Sequence, residues 1–247
     1  MARRPGPVAL PELFLGLAAI AIAVVVTAHI FAGTIHDVRH SRDTLSVTGS
    51  ARVPIDANLL RWSLTVAPHA SSAARAARRL RREIGYVRNF LRQAGVPSDA
   101  VSVSVVWTEV IVTRLPHRRT RTSYAVSQAL ELSMRRIDVV ENVATRVGEL
   151  IERGIEVSAG PLQYLSTELM KAKLSALAAA TGEARHRAEI LVRGLGGKLG
   201  RMRSSSQGVF QVTPRDSTDV SDYGINDTSS REKDVNAVVS ATFDVKQ

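Results

Sequence analysis

"AVSVSVVWTEVIVT" (100–113) and "RTSYAVSQALELSM" (121–134) flank the segment "RLPHRRT" (114–120). Both long runs read as strands, and most residues of the segment between them are cationic or turn-forming, so it is expected to project into solvent. On the N-terminal side, Ser71 or Ser72 can cap a helix running to about Ala94, where Gly95 and Pro97 stop it. Ala77, Leu80, Ile84, Val87 and Leu91 form its apolar stripe, with Arg75, Arg78, Arg79 and Arg82 on the far side. On the C-terminal side, a second amphipathic helix is expected from Ile137 to Glu152, with Val140, Val143, Val147 and Leu150/Ile151 inward and Gly154 closing it. One strand lies outside each helix: "LLRWSLTVA", with Leu60, Trp62, Leu64 and Val66 inward, and "IEVSAGPLQYL". The order from Leu59 is therefore β-α-β-β-α-β, the split β-α-β or ferredoxin-like order, in which two helices cover one face of an antiparallel sheet.

Further strands bracket this unit. "LSVTGSARV" alternates with Leu45, Val47, Gly49, Ala51 and Val53 on one face, and Pro54-Ile55-Asp56 is expected to break it. "VNAVVSATFDV" ends the chain with Val235, Ala237, Val239, Ala241 and Phe243 on one face. A third helix is expected from about Thr167 to Arg193, with Leu174, Leu177, Thr181, Ala184, Ala188, Leu191 and Leu195 as its seam. Residues 204–234, rich in Ser, Asp, Thr and Gly, read as a mobile polar loop. The fold class is α+β.

The leader sets the compartment. From Leu13 to Ile35 there is no charged side chain, and a helix of this length can cross the ~30 Å hydrocarbon layer. Arg3 and Arg4 precede it, so residues 1–12 are expected to stay cytoplasmic, 13–35 to span as a signal-anchor, 36–43 to form a polar stalk, and 44–247 to fold outside. A cleaved signal peptide is the competing reading, but its apolar stretch is normally about 7–15 residues, and Ile30-Phe31-Ala32 is a poor cleavage site. Both readings put the body of the chain outside the cytoplasm, which argues against nucleic acid as partner.

Composition narrows the chemistry. The 247 residues are 45% hydrophobic but only 4% aromatic, so the core is aliphatic. There is no cysteine, which excludes disulfides, thiolate metal sites and a cysteine nucleophile. The net charge is +10, carried by 28 Arg and 5 Lys. That fits an anionic envelope surface or, equally, an arginine-rich composition spread over solvated faces.

"GLGGKLG" (194–200) looks like a phosphate cradle, but it follows a helix instead of preceding one. A helix C-terminus carries partial negative charge, so the glycines read as a left-handed cap and Lys198 as its complement. His36 and His40 lie four apart with Asp37 near, yet in a stalk with no fixed shell and no metalloprotease glutamate. "DSTDVSDYGIND" resembles a calcium loop only faintly and lacks the terminal bidentate Glu. No G-x-S-x-G elbow occurs. No metal and no cofactor are expected. Glu109 and Glu131, within the two long strands, are the best acid–base candidates, and Trp62 and Trp107 read as core residues.

"LSVTGSARVPIDANLLRWSLTV", "GVPSDAVSVS", "GEARHRAEILVRGLGGKLGRM" and the terminal "VVSATFDV" together resemble the SIMPL-domain family of bacterial envelope proteins, which includes periplasmic immunogenic proteins. The likeness covers Thr44 to Val245, and "YGINDTSSREKDVNAVVSATF" matches a subset of the family. Its motifs are structural, not chemical. The resemblance implies an α+β fold and an extracytoplasmic place, allows assembly into ring-like or channel-like oligomers, and brings no catalytic motif.

Two functional classes follow. The first is a non-enzymatic membrane-anchored protein that assembles with itself or binds a partner through sheet edges, the tip cations Arg114, His117, Arg118, Arg119 and Arg121, and the helix face of Arg75, Arg78, Arg79 and Arg82. Anionic lipids or glycans would suit that face. The second is an envelope-polymer hydrolase that uses Glu109 and Glu131.

Overall fold

The computed structural model describes residues 43–116 and 120–246, with 21, 23, 24, 26 and 27, and the five isolated positions are helical. The expected span 13–35, apart from those five, and the stalk 36–43, apart from Asp43, lie outside the described residues. Among the described residues no helix is long and apolar enough to cross a membrane. The chain is a mixed α+β structure with two sheets. The strands and helices are β1 (Thr44–Asp56), β2 (Leu59–Val66), β3 (His69–Ala70), α1 (Ala73–Gln93), β4 (Val101–Val103), β5 (Trp107–Arg114), β6 (Thr120–Met134), α2 (Ile137–Thr145), α3 (Gly148–Glu152), β7 (Val157–Ala159), β8 (Gln163–Leu165), α4 (Leu169–Gly194), β9 (Lys198–Gln207), β10 (Gln211–Pro214), β11 (Ile225–Asn226) and β12 (Glu232–Lys246).

Two compact units are drawn from this chain. The larger comprises Ser50–Glu183 and Gln207–Val239. In it β6 pairs with β2 and β3, and also with β4 and β5, while β2 pairs with β7 and β8, all antiparallel. With α1 between β2 and β4, and α2 and α3 between β6 and β7, this is the split β-α-β arrangement. One core holds it together: Leu60, Trp62, Leu64 and Val66 of β2 and Leu130 and Leu132 of β6 meet Leu80, Val87 and Leu91 of α1 and Val140, Val143 and Leu150 of α2 and α3. The inward residues expected of β2 are all at most 2% exposed.

The helix ends follow local chemistry. Ser72 is the N-cap of α1, and its Oγ accepts from the Arg75 N–H at 3.4 Å. Gly95 sits at φ +87, where a left-handed glycine lets the Gly95 N–H reach Arg92 O and the Val96 N–H reach Leu91 O, so the last carbonyls are satisfied. The helix expected over 137–152 breaks at Arg146-Val147 into α2 and α3, and Ile151 turns outward.

The long strand expected over 100–113 is also two strands. Val103 pairs with Leu130 and Trp107 with Ser127, so three residues, Ser104, Val105 and Val106, stand opposite two, Gln128 and Ala129. The extra residue makes a bulge, which Ser104 closes by donating its N–H to Ala129 O and accepting the Ala129 N–H on its Oγ.

The second sheet runs β1-β12-β10-β11, with β9 on β12. The larger unit's share of it packs Val212, Val235, Ala237 and Val239 against Ala172, Ala176 and Ala180 of α4. β1 continues through Pro54-Ile55-Asp56 without the expected break. Residues 204–234 are not simply a polar loop: they contain β10 and β11, and Gln211, Val212 and Thr213 are buried.

The smaller unit is drawn from the described residues up to Gly49, from Ala184–Ser206 and from Ser240 onward. Its core is Val47, Ala184, Ala188, Ala241 and Phe243. Gly196, at φ +82, ends α4 as the sequence indicated, with the Gly196 N–H on Arg193 O and the Gly197 N–H on Val192 O.

The expected seam of α4 is corrected in part: Ala184 and Ala188 are buried as expected, but its leucines are not the buried row. The buried row is Ala172, Ala176, Ala180, Ala184, Ala188 and Val192, while Leu174, Leu191 and Leu195 are exposed. Ala172, Ala176 and Ala180 enter the core of the larger unit and Ala184 and Ala188 that of the smaller, and in each the methyl side chains leave room for the bulkier β12 residues of that core.

Candidate interaction surface

The bulge at Val105-Val106 decides what β5 presents. Val103 opposite Leu130 faces the helices, but Ser127 lies three positions from Leu130 on β6 and so points the other way, and Trp107 beside it does too. Trp107 is therefore 71% exposed, whereas Trp62 is buried and its Nε1–H donates to Gly160 O at 2.9 Å. The expectation that Trp107 is a core residue fails because one inserted residue reverses every face beyond it. Val105, Val106, Val110 and Val112 are also exposed. Among the described residues β5 pairs only with β6, so its outer edge presents free backbone donors and acceptors beside these valines.

Charge lies at the far end of this ribbon. Arg114 pairs with Thr120, and Arg121 with Thr113, and both arginines are exposed. His117, Arg118 and Arg119 lie outside the described residues. On α1, Arg78 and Arg82 are exposed and have no partner among the described residues, and Arg75 donates to Ser72 Oγ. Arg79 does not belong with them. It bonds Glu83 Oε1 at 2.6 Å, Glu156 Oε1 at 2.8 Å and Gly154 O at 3.1 Å, a clamp between α1 and the segment after α3. Its place one turn from Glu83 was the sequence signal for this.

Glu109 and Glu131 are not brought together. Glu109 faces Ala125 on β6, whereas Glu131 lies six positions further along β6 and faces Ser63 and Ser102, a separation of about 20 Å. Both are exposed. His69 Nδ1 lies 2.5 Å from Glu156 Oε2, His186 is exposed, and His29, His36 and His40 are outside the described residues. Among the described residues no three metal-ligating side chains cluster.

Sequence reasoning missed two polar features. Asp227, assigned above to a faint calcium pattern, instead holds the buried Lys233 ammonium at 2.8 Å and accepts from Ser229 and Ser230. Burial alone would raise its carboxyl, but the bonds from Lys233, Ser229 and Ser230 together hold it far below the usual carboxylate range. Asp227 followed two and three residues later by serines was the available signal. The second is a groove of ≈ 790 Å³ lined by Arg52, Asp56, Arg215 and Asp234. Arg215 spends its guanidinium on Asp56 and Glu232, each at 2.9 Å, and Arg52 lies 3.6 Å from Asp234. The groove is braced by its own charges.

No curated protein matches this chain. Solved structures with local likeness include the de novo designed protein Foldit4, at 13% identity and a TM-score of 0.23, covering 41% of this chain and 93% of that one. CutA from Synechococcus elongatus gives 11% identity and 0.21, over 45% and 86% of the two chains. A putative amidohydrolase/peptidase from Burkholderia cenocepacia gives 14% and 0.22, over 59% and 37%. The model of the SIMPL family, described as protein of unknown function (DUF541), matches residues 45–243. With the opening strand, the glycine-capped long helix and the closing strand all in place across that range, the chain belongs to the SIMPL family.

Proposed function

We propose that this chain is a single-pass protein of the bacterial inner membrane whose domain from residue 44 onward lies on the periplasmic side and acts without catalysis, by associating with further copies of itself or with a partner. The compartment is supported by the uncharged stretch 13–35 with Arg3 and Arg4 before it. The observation that carries the activity is the outer edge of β5, unpaired among the described residues, on a strand bearing exposed Trp107, Val110 and Val112. Large apolar side chains gathered on a free strand edge invite a second chain, and soluble proteins normally blunt such edges. Arg75, Arg78 and Arg82 supply a cationic face suited to anionic lipids or glycans, with no nucleic-acid role. The alternative of a hydrolase built on Glu109 and Glu131 loses its acid–base pair to the β6 register.

Sedimentation equilibrium of the purified chain in detergent tests the association. A mass that rises with protein concentration is expected, and a strict monomer at high concentration removes self-association. Protease added to intact spheroplasts tests the side: the domain should be digested, and survival of the domain overturns the topology.

A further inference from the structure

We infer that the β5–β6 ribbon of one copy docks head-to-tail on the acidic loop 216–223 of a second copy. The inference rests on the association proposed above and names the surface that receives the ribbon.

The loop is another place in the larger unit where exposed apolar side chains and charge without an ion-pair partner stand together. Tyr223 is 97% exposed and Val220 83%. Asp219 and Asp222 are exposed with no ion-pair partner among the described residues, and Asp216 reaches Arg52 only at 3.8 Å. Between Asp216 and Tyr223 there is no cation.

This presentation is built into the loop. Ser217 Oγ accepts the Asp219 N–H, Ser221 Oγ accepts the Tyr223 N–H, and Gln211 Nε2 from buried β10 donates to Ser221 O at 2.7 Å. Gly224, at φ +83, turns the chain back where a Cβ would stand 2.9 Å from Phe210 O. A loop fixed in this way loses little entropy when it is covered, so its apolar area and charge are available for binding.

The ribbon is its chemical complement. One face of it offers Val110 and Val112, then Arg114, with no carboxylate among the residues of β5 and β6 on that face. Val110 and Val112 can cover Tyr223 and Val220 while Arg114 meets Asp219 and Asp222. A ribbon-to-ribbon contact offers no such exchange, and on a chain of net charge +10 like surfaces repel. Because the two surfaces differ, each copy keeps one of each free, and the contact propagates to a ring or a filament.

The absence of cysteine makes the test clean. Full chains carrying Val112→Cys and full chains carrying Tyr223→Cys are mixed in detergent under mild oxidant. A disulfide-linked dimer joining the two variants is expected in the mixture and only weakly in either alone. A dimer that forms equally well from Val112→Cys alone would overturn the inference while leaving self-association standing; no crosslink together with a monomeric parent chain would remove both. Charge reversal gives a second readout. Asp219→Lys/Asp222→Lys and Arg114→Glu should each weaken association about tenfold or more, and mixing the two reversed chains should restore it. If the loop reversal leaves the sedimentation mass unchanged while the ribbon reversal lowers it, the partner surface lies elsewhere. Raised salt should weaken the parent association in step with these variants.

Discussion

β6 carries two different environments on one strand. From Gln128 to Met134 it lies between β2 and β4, and its even-numbered residues Leu130, Leu132 and Met134 are buried under the helices. From Thr120 to Ser127 it pairs with β5; Ala125 and Val126 are still buried, but beyond them the alternate valines of β5, Val110 and Val112, reach open solvent. The pleat is the same in both halves. Only the cover differs. Alternation reports that a strand has two faces, but whether a helix lies over one of them is settled by loop lengths and by the bulge at Val105-Val106.

The two tryptophans measure this difference most directly. Trp62→Ala, in the covered half, should cost about 4 kcal/mol of stability, seen as a lower urea midpoint. If the loss is under about 1 kcal/mol, the packing under α1 is not the main core. The charged interior of the second sheet comes next. Asp227→Asn leaves the Lys233 ammonium, 3% exposed, without its counter-charge, at about 3 kcal/mol.

That carboxyl also gives a pH signature. Its folded value is depressed, so its stabilisation is complete above the unfolded value of about 4 and is lost as pH falls below it. A Tm series from pH 7 to pH 2 should therefore steepen below about 4 in the parent chain and less so in Asp227→Asn.

Glycines separate local from tertiary demands. Gly196→Ala forces a side chain to φ +82 and should destabilise by about 1 kcal/mol. Gly85→Ala, in an α1 position with open space around it, should stabilise by about 0.5–1 kcal/mol in thermal unfolding. The smallest effect belongs to the uncovered half of the ribbon. Trp107→Ala should change stability by less than about 0.5 kcal/mol while reducing association, so that sedimentation and unfolding report different residues. Equal losses at Trp62 and Trp107 would mean that the ribbon is part of the folding core.

By itself the sequence determined the β-α-β-β-α-β order from Leu59, the flanking first and last strands, the inward residues of β2 and β12, the Ser72 cap and the glycine stops after α1 and α4, but not β3, β9, β10 or β11. The features it determined depend on neighbours within a few residues, so short-range steric and hydrogen-bonding preferences specify them. Tertiary structure alone decided that Trp107 faces solvent, that Leu174, Leu191 and Leu195 of α4 stay exposed while Ala172, Ala176 and Ala180 are buried, that Glu109 and Glu131 stand far apart, and that Asp227 serves Lys233. Each of those outcomes depends on register, or on which of two apolar faces meets a partner. A single extra residue, or the bulk of a side chain distant in the sequence, changes that choice without altering the local pattern.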